Sequence, residues 1–211
     1  MTEALYYVAD PMCSWCWGFA PELEAVRSAL PPGTELRVLL GGLAPDDAAP
    51  MDAETRRYVQ SAWDEVEGRT GARFNRDFWS RCAPRRSTYP ACRAVLAAGA
   101  QDGDARDGWA SGPLARAMFE AIQRAYYLQA RNPSDRELLC ALADETPGID
   151  PARFEADLGA DATEARLQRG FALRRSFGVR TFPSLVFVRG DEAEVVLRGY
   201  GQAEQVLAAI G

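Results

Sequence analysis

The chain has 211 residues, 47% of them hydrophobic, and a formal net charge of −6. That length fits one domain with an insertion or two small domains, with a sizeable core. The acidic balance argues against nucleic acid or an acidic membrane surface as the main partner. No apolar run approaches the roughly 20 residues of a membrane span. Histidine is absent, which excludes Ser-His-Asp and Cys-His nucleophile systems in their usual form and all histidine-bearing metal sites. Lysine is absent too, and all 24 basic residues are arginine, a compositional habit of the source genome rather than a functional signal.

Leu5–Ala9 predicts a buried strand, β-prone and bounded by Asp10-Pro11. The next helix has apolar spacing at Phe19, Leu23, Val26 and Leu30, is kinked by Pro21 and ends at Pro31-Pro32-Gly33. Leu36–Leu40 reads as a second strand, apolar enough for a central parallel position. From Pro45 to Asp161 the signal is almost entirely helical. Ala53–Arg69 is amphipathic, Asn75–Arg81 is a short aromatic segment, and Tyr89–Gln101 is alanine-rich. Gln101–Gly112 reads as a surface loop and Pro113–Arg131 as a helix. Ser134–Glu137 reads as a capping box, and Asp150-Pro151 as an N-cap with proline at the first helical position. Thr163–Phe177 is helical, with Gly178 closing it. Ser184–Arg189 and Ala193–Arg198 form a hairpin across Gly190-Asp191, and Gln202–Ile210 is a terminal helix. The expected fold class is α/β: one domain from residues 1–44 and 162–211, interrupted by a helical insertion domain over 45–161.

Cys13-Ser14-Trp15-Cys16 carries the chemistry. A CxxC at a strand-to-helix turn is a redox constellation. The first sulfur lies at a helix N-terminus, where unpaired N–H groups and the dipole favour a thiolate. The second lies one turn on, placed to attack a mixed disulfide formed by the first. A zinc site would need two further ligands, and Cys82, Cys92 and Cys140 form no second CxxC, so no metal is expected. Those three read as buried thiols acting as small apolar residues, with a Cys82–Cys92 disulfide the less favoured alternative. Arg56-Arg57 and Arg85-Arg86 read as solvated faces. A core strand beginning at Leu5 leaves no room for a signal peptide, so the expected compartment is the cytoplasm, where a CxxC is more often catalytic than structural.

Strand, CxxC, helix, strand, helical insertion, then helix, proline, two strands and a helix resembles the DsbA family of the thioredoxin superfamily. Asp10–Phe19 is similar to the active-site turn of its cytoplasmic, FrnE-like branch. Gly178–Ser184 resembles the segment that holds the family's cis-proline, and Ala117–Asp135 its insertion helices. The resemblance implies a thioredoxin fold with a large all-helical insertion and thiol–disulfide exchange on protein or small-molecule disulfides. No dissociable cofactor is implied, though glutathione is a possible co-substrate. Cys13 becomes the exposed nucleophile and Cys16 the resolving thiol. Phe182-Pro183, trans by composition alone, becomes cis and turns its backbone toward a substrate strand. Trp15 and Trp17 are candidate substrate contacts, with core packing favoured for Trp17. Ser14 and Asp10 have supporting places. DsbA itself has Pro-His between its cysteines, so its strongly oxidising character does not carry over to Ser14-Trp15. The buried acid of thioredoxins has no counterpart on the first strand, where Tyr6 and Tyr7 stand. Asp10 and Glu24 are the nearest acids, each open to a solvated reading, which is favoured for Glu24. The alternatives are a glutathione-dependent transferase or isomerase of the kappa-class and hydroxychromene-carboxylate isomerase type, or a redox-linked chaperone or binding module. The expected partners are thiol- or disulfide-bearing proteins and small thiols, with no nucleic acid and no membrane; oligomeric state is not legible.

Overall fold

The computed structural model describes residues 3–103 and 108–211. Strand β1 (Glu3–Ala9) leads to α1 (Ser14–Gly18), α2 (Ala20–Ser28) and β2 (Thr34–Leu40). The helical signal after β2 becomes α3 (Ala53–Thr70), α4 (Phe78–Arg81) and α5 (Tyr89–Ala100). Strand β3 (Trp109–Ala110), then α6 (Pro113–Tyr127), α7 (Arg136–Glu145), α8 (Pro151–Leu158) and α9 (Asp161–Ser176) follow. Strands β4 (Ser184–Arg189) and β5 (Glu192–Arg198) and helix α10 (Ala203–Ile210) complete the chain.

The sheet order is β3-β2-β1-β4-β5, with β1 parallel to β2 and the other neighbours antiparallel. Strand β1 has neighbours on both edges and helices on both faces, which suits its unbroken apolar sequence. Its alternate side chains divide the core. Leu5, Tyr7 and Ala9 join the large cluster with α1, α6 and α10, while Ala4, Tyr6 and Val8 pack toward Leu173 of α9 and Phe177, the residue that caps it.

Pro21 does more than kink the first helix. The helix breaks at Phe19, and Pro21 sits in the first turn of α2, where its missing N–H costs nothing. Asp52 and Asp150 cap α3 and α8 through their side chains, the second followed by Pro151 as expected. The expected capping box at Ser134 does not form. Asp135 is the N-cap without a side-chain bond, and the buried Ser134 hydroxyl donates to the Ser87 carbonyl at 3.0 Å instead.

Trp109-Ala110, expected within a surface loop, pairs with Val38-Leu39 as a fifth strand, so the insertion is not entirely helical. Tertiary contacts hold this short strand. The Trp109 ring meets Tyr6 edge-on at 5.5 Å, and the Arg37 guanidinium lies 4.6 Å from its centre. Gly108 packs against α9, where a Cβ would come within 2.4 Å of the Gly170 nitrogen. Residues 104–107 of the expected loop lie outside the described residues.

Candidate active site

The turn after β1 is built around Asp10. Its carboxylate, fully buried, accepts from the Met12 amide at 2.8 Å, the Leu43 amide at 2.7 Å and the Thr88 hydroxyl at 2.6 Å, and the Cys92 thiol lies 3.6 Å away. One side chain thus joins the CxxC turn, the loop after β2 and the start of α5. Burial raises the Asp10 pKa, and the four donors pull it part of the way back. Glu24, by contrast, is exposed and bonded to Arg27, the solvated reading expected of it.

Cys13 is the N-cap of α1, its amide bonded to the Asp10 carbonyl at 3.0 Å. The expectation of an exposed Cys13 is corrected: the residue is 5% exposed. Its cover comes from the far end of the chain, where the Phe182 carbonyl accepts from the Cys13 thiol at 3.8 Å. The Cys13 side chain still lines a groove of about 410 Å³, with Trp15, Tyr58, Trp63, Arg86, Arg180 and Phe182 among its walls. Arg86, expected as part of a solvated face, therefore stands in the groove. Ser14 and Trp15 are half-buried at its floor, and the Trp15 ring lies 6.1 Å from Tyr200.

Cys16 lies one turn deeper and is fully buried; the Tyr7 hydroxyl donates to its carbonyl at 3.5 Å. Burial pushes the Cys16 thiol well above its ordinary value, and the hydrogen bond with Cys13 and the charge there add to the rise. All five cysteines are free thiols, including Cys82 and Cys92. Trp17 points away from the groove. Its indole donates to the Arg73 carbonyl at 3.1 Å and stacks on Tyr127 at 5.6 Å, so it packs the insertion against α1.

The Phe182–Pro183 bond is cis, and Pro183 is buried beside Ser184 at the start of β4. The Phe182 ring rests on Gly41, where a Cβ would come within 2.4 Å of the ring carbons. Arg174 of α9 holds its guanidinium 5.7 Å from the same ring. Sequence reasoning missed Gly41, Thr88, Cys92 and Arg180 as members of this site. Only Gly41-Gly42, directly after a strand, carried a local signal, since paired glycines mark close backbone approach. The arrangement places Cys13 and Cys16 one helical turn apart, with Cys13 on a groove beside the Phe182-Pro183 backbone.

Residues 6–207 match the family profile described as thioredoxin. A candidate protein disulfide isomerase from Nitrosomonas europaea is 29% identical, with a TM-score of 0.84 over 100% of this chain and 96% of that one. The cytosolic disulfide reductase DsbM from Pseudomonas aeruginosa is 28% identical, with a TM-score of 0.75 over 98% and 96% of the two chains, and has also been solved with glutathione. Among curated proteins, the ClpXP adapter protein SpxH of Halalkalibacterium halodurans is 22% identical across 93% of this chain, which spans 62% of that protein's length. Profile, sheet order and the placement of the CxxC agree: the chain belongs to the thioredoxin family, in its DsbA-like form.

Proposed function

We propose that the protein is a thiol–disulfide oxidoreductase acting as a glutathione-linked disulfide reductase in the cytoplasm. The observation that carries this reading is the pairing of Cys13, at the start of α1 on the groove, with Cys16, fully buried one turn further along the same helix. The Cys13 thiolate attacks one sulfur of a substrate disulfide, forming a mixed disulfide and releasing the other sulfur as a thiolate. That thiolate takes the Cys16 proton, and Cys16 then attacks the Cys13 sulfur, closes the Cys13–Cys16 disulfide and releases the second sulfur as a thiolate. Two glutathione molecules then return the pair to the dithiol and leave as glutathione disulfide. The likeness to a cytosolic disulfide reductase that has been solved with glutathione supports both the direction and the co-substrate. Among the described residues no helix is long and apolar enough to cross a membrane.

Each residue has a share in this scheme. Burial holds the Cys16 thiol well above its ordinary value, so Cys13, on the groove, is the sulfur that meets substrate first. Trp15 and Phe182 offer apolar contact to the chain flanking a substrate disulfide, Ser14 lines the groove beside the sulfur, and Pro183 fixes the turn that carries Phe182. Asp10 is a positioning residue, acting through the turn that it ties. Reduction of insulin by the protein with glutathione tests the reading. In Cys16→Ala, covalent adducts with glutathione accumulate through Cys13 and appear as a mass shift under non-reducing conditions; in Cys13→Ala they do not. A transferase would keep turnover without Cys16. The likeness to an adapter protein gives a binding-module reading, which predicts client binding that survives Cys13→Ser combined with Cys16→Ser, with no insulin reduction.

A further inference from the structure

A second and larger cavity, about 610 Å³, meets the dithiol from the side of Cys16. It lies between α2, β2 and α6. Leu23, Leu36, Val38 and Phe119 form its walls, and the buried Tyr7 and Cys16 line its depth. Leu36 and Val38 share a sheet face with the buried Leu40, yet both are only half-buried, because among the described residues no side chain fills the space above this part of β2. The volume is in the range of small-molecule sites, and the lining is mainly apolar, as such sites are.

One polar group inside is unexplained. Gln123 is 2% exposed and lines the cavity, and its Nε2 has no hydrogen-bond partner among the described residues. An amide donor held away from water without an acceptor is disfavoured, so the site is complete only when a ligand brings one. The charges at the rim indicate the kind of acceptor. Glu24 is bonded to Arg27 and Glu35 to Arg37. On α6, however, Arg116 and Arg124 share the single carboxylate of Glu120, at 4.0 Å and 3.6 Å. The cavity's charged lining balances overall, Glu24, Glu35 and Glu120 against Arg27, Arg116 and Arg124, but on the α6 face two arginines meet one glutamate, with Arg124 next to Gln123 and Arg116 two turns before it.

We propose that this cavity is a binding site for a small amphiphilic carboxylate, its apolar body between Leu36 and Phe119 and its carboxylate facing Gln123 and the arginines of α6. The site is separate from the substrate groove, and its occupancy is measurable without turnover.

Phenylbutyrate, with phenylbutanol as its uncharged counterpart, is the probe. Titrated into isotope-labelled protein, phenylbutyrate gives saturable shifts of the Leu36, Phe119 and Gln123 amides and leaves Arg180 and Phe182 unmoved. Gln123→Leu weakens phenylbutyrate about tenfold, the loss of one hydrogen bond to a charged group, and weakens phenylbutanol, whose hydroxyl accepts only as a neutral group, by less. Ala20→Phe, which fills the cavity, abolishes both. Arg116→Ala, at an exposed position, weakens phenylbutyrate alone and keeps the test open should Gln123→Leu fail to fold. Absence of saturable shifts in the wild type overturns the proposal. So do shifts centred on Phe182, an affinity indifferent to Ala20→Phe, or a dimer that dissociates in Ala20→Phe, which would make the cavity an interface between copies.

Discussion

Five thiols share this chain, and their surroundings separate them. Burial raises the pKa of Cys16, Cys82, Cys92 and Cys140. Cys13 alone stands at a helix start on a groove. Although Cys82 and Cys140 are more exposed, we expect iodoacetamide at mildly acidic pH to label Cys13 roughly tenfold or more faster, because the thiolate is the nucleophile. Peptide mapping after brief labelling checks this, and faster labelling of Cys140 contradicts it. Asp10 offers a second measurement. Its folded pKa is raised, so the folded state holds this proton to a higher pH than the unfolded chain does. The stability it contributes is full below the unfolded carboxyl value, about 3.9, and is lost as pH rises through the folded value. Asp10→Asn has no such slope and one accepting oxygen in place of two. It should be less stable by about 1–3 kcal/mol at low pH, with the gap narrowing toward neutrality. Urea midpoints of both proteins across the acidic range decide this, and a gap that widens with pH refutes it.

Among the elements, α3 supplies the ring at the centre of an aromatic cluster. Its Trp63, fully buried, lies within 6 Å of Phe74, Phe78, Trp79, Tyr126 and Tyr127, the farthest of them at 5.8 Å. The same residue walls the Cys13 groove. Trp63→Ala should cost about 3–5 kcal/mol and lower insulin reduction as well, read as a fall in thermal midpoint beside a loss of rate; a stable variant with full activity would contradict this. Elements with strong local patterns were legible from the residues. Leu5–Ala9 alternates between two packed faces, Asp150-Pro151 announces α8, and Gly190-Asp191 turns the last hairpin. Features decided by distant partners were not. Nothing near Trp109 predicts a two-residue strand, since Val38-Leu39 and Arg37 create it. Ser134 has the pattern of a cap, but a carbonyl from another loop takes its hydroxyl. Cys13 looked exposed because Phe182, its cover, is brought back by the fold. Asp10 stayed ambiguous for the same reason: Leu43, Thr88 and Cys92 reach it only in three dimensions.

At the scale of the whole molecule, the site is a meeting of the two ends of the sheet domain, with the insertion supplying one wall. Gly41 follows β2, Phe182 precedes β4, and their contact holds the Phe182 carbonyl over Cys13. A methyl group at position 41 would come within 2.4 Å of the ring, so ring and carbonyl must move together. Gly41→Ala should slow insulin reduction several-fold while changing the reactivity of Cys13 toward iodoacetamide. In a double-mutant cycle, Gly41→Ala should add little to Phe182→Ala, because the ring it displaces is already gone; fully additive losses would dissociate the two positions. Over evolutionary time the same contact acts as a constraint between positions that never neighbour each other along the chain. A lineage that gains a side chain at the position of Gly41 can keep the dithiol covered only by trimming the aromatic at the position of Phe182, so the two substitutions should be inherited as a pair.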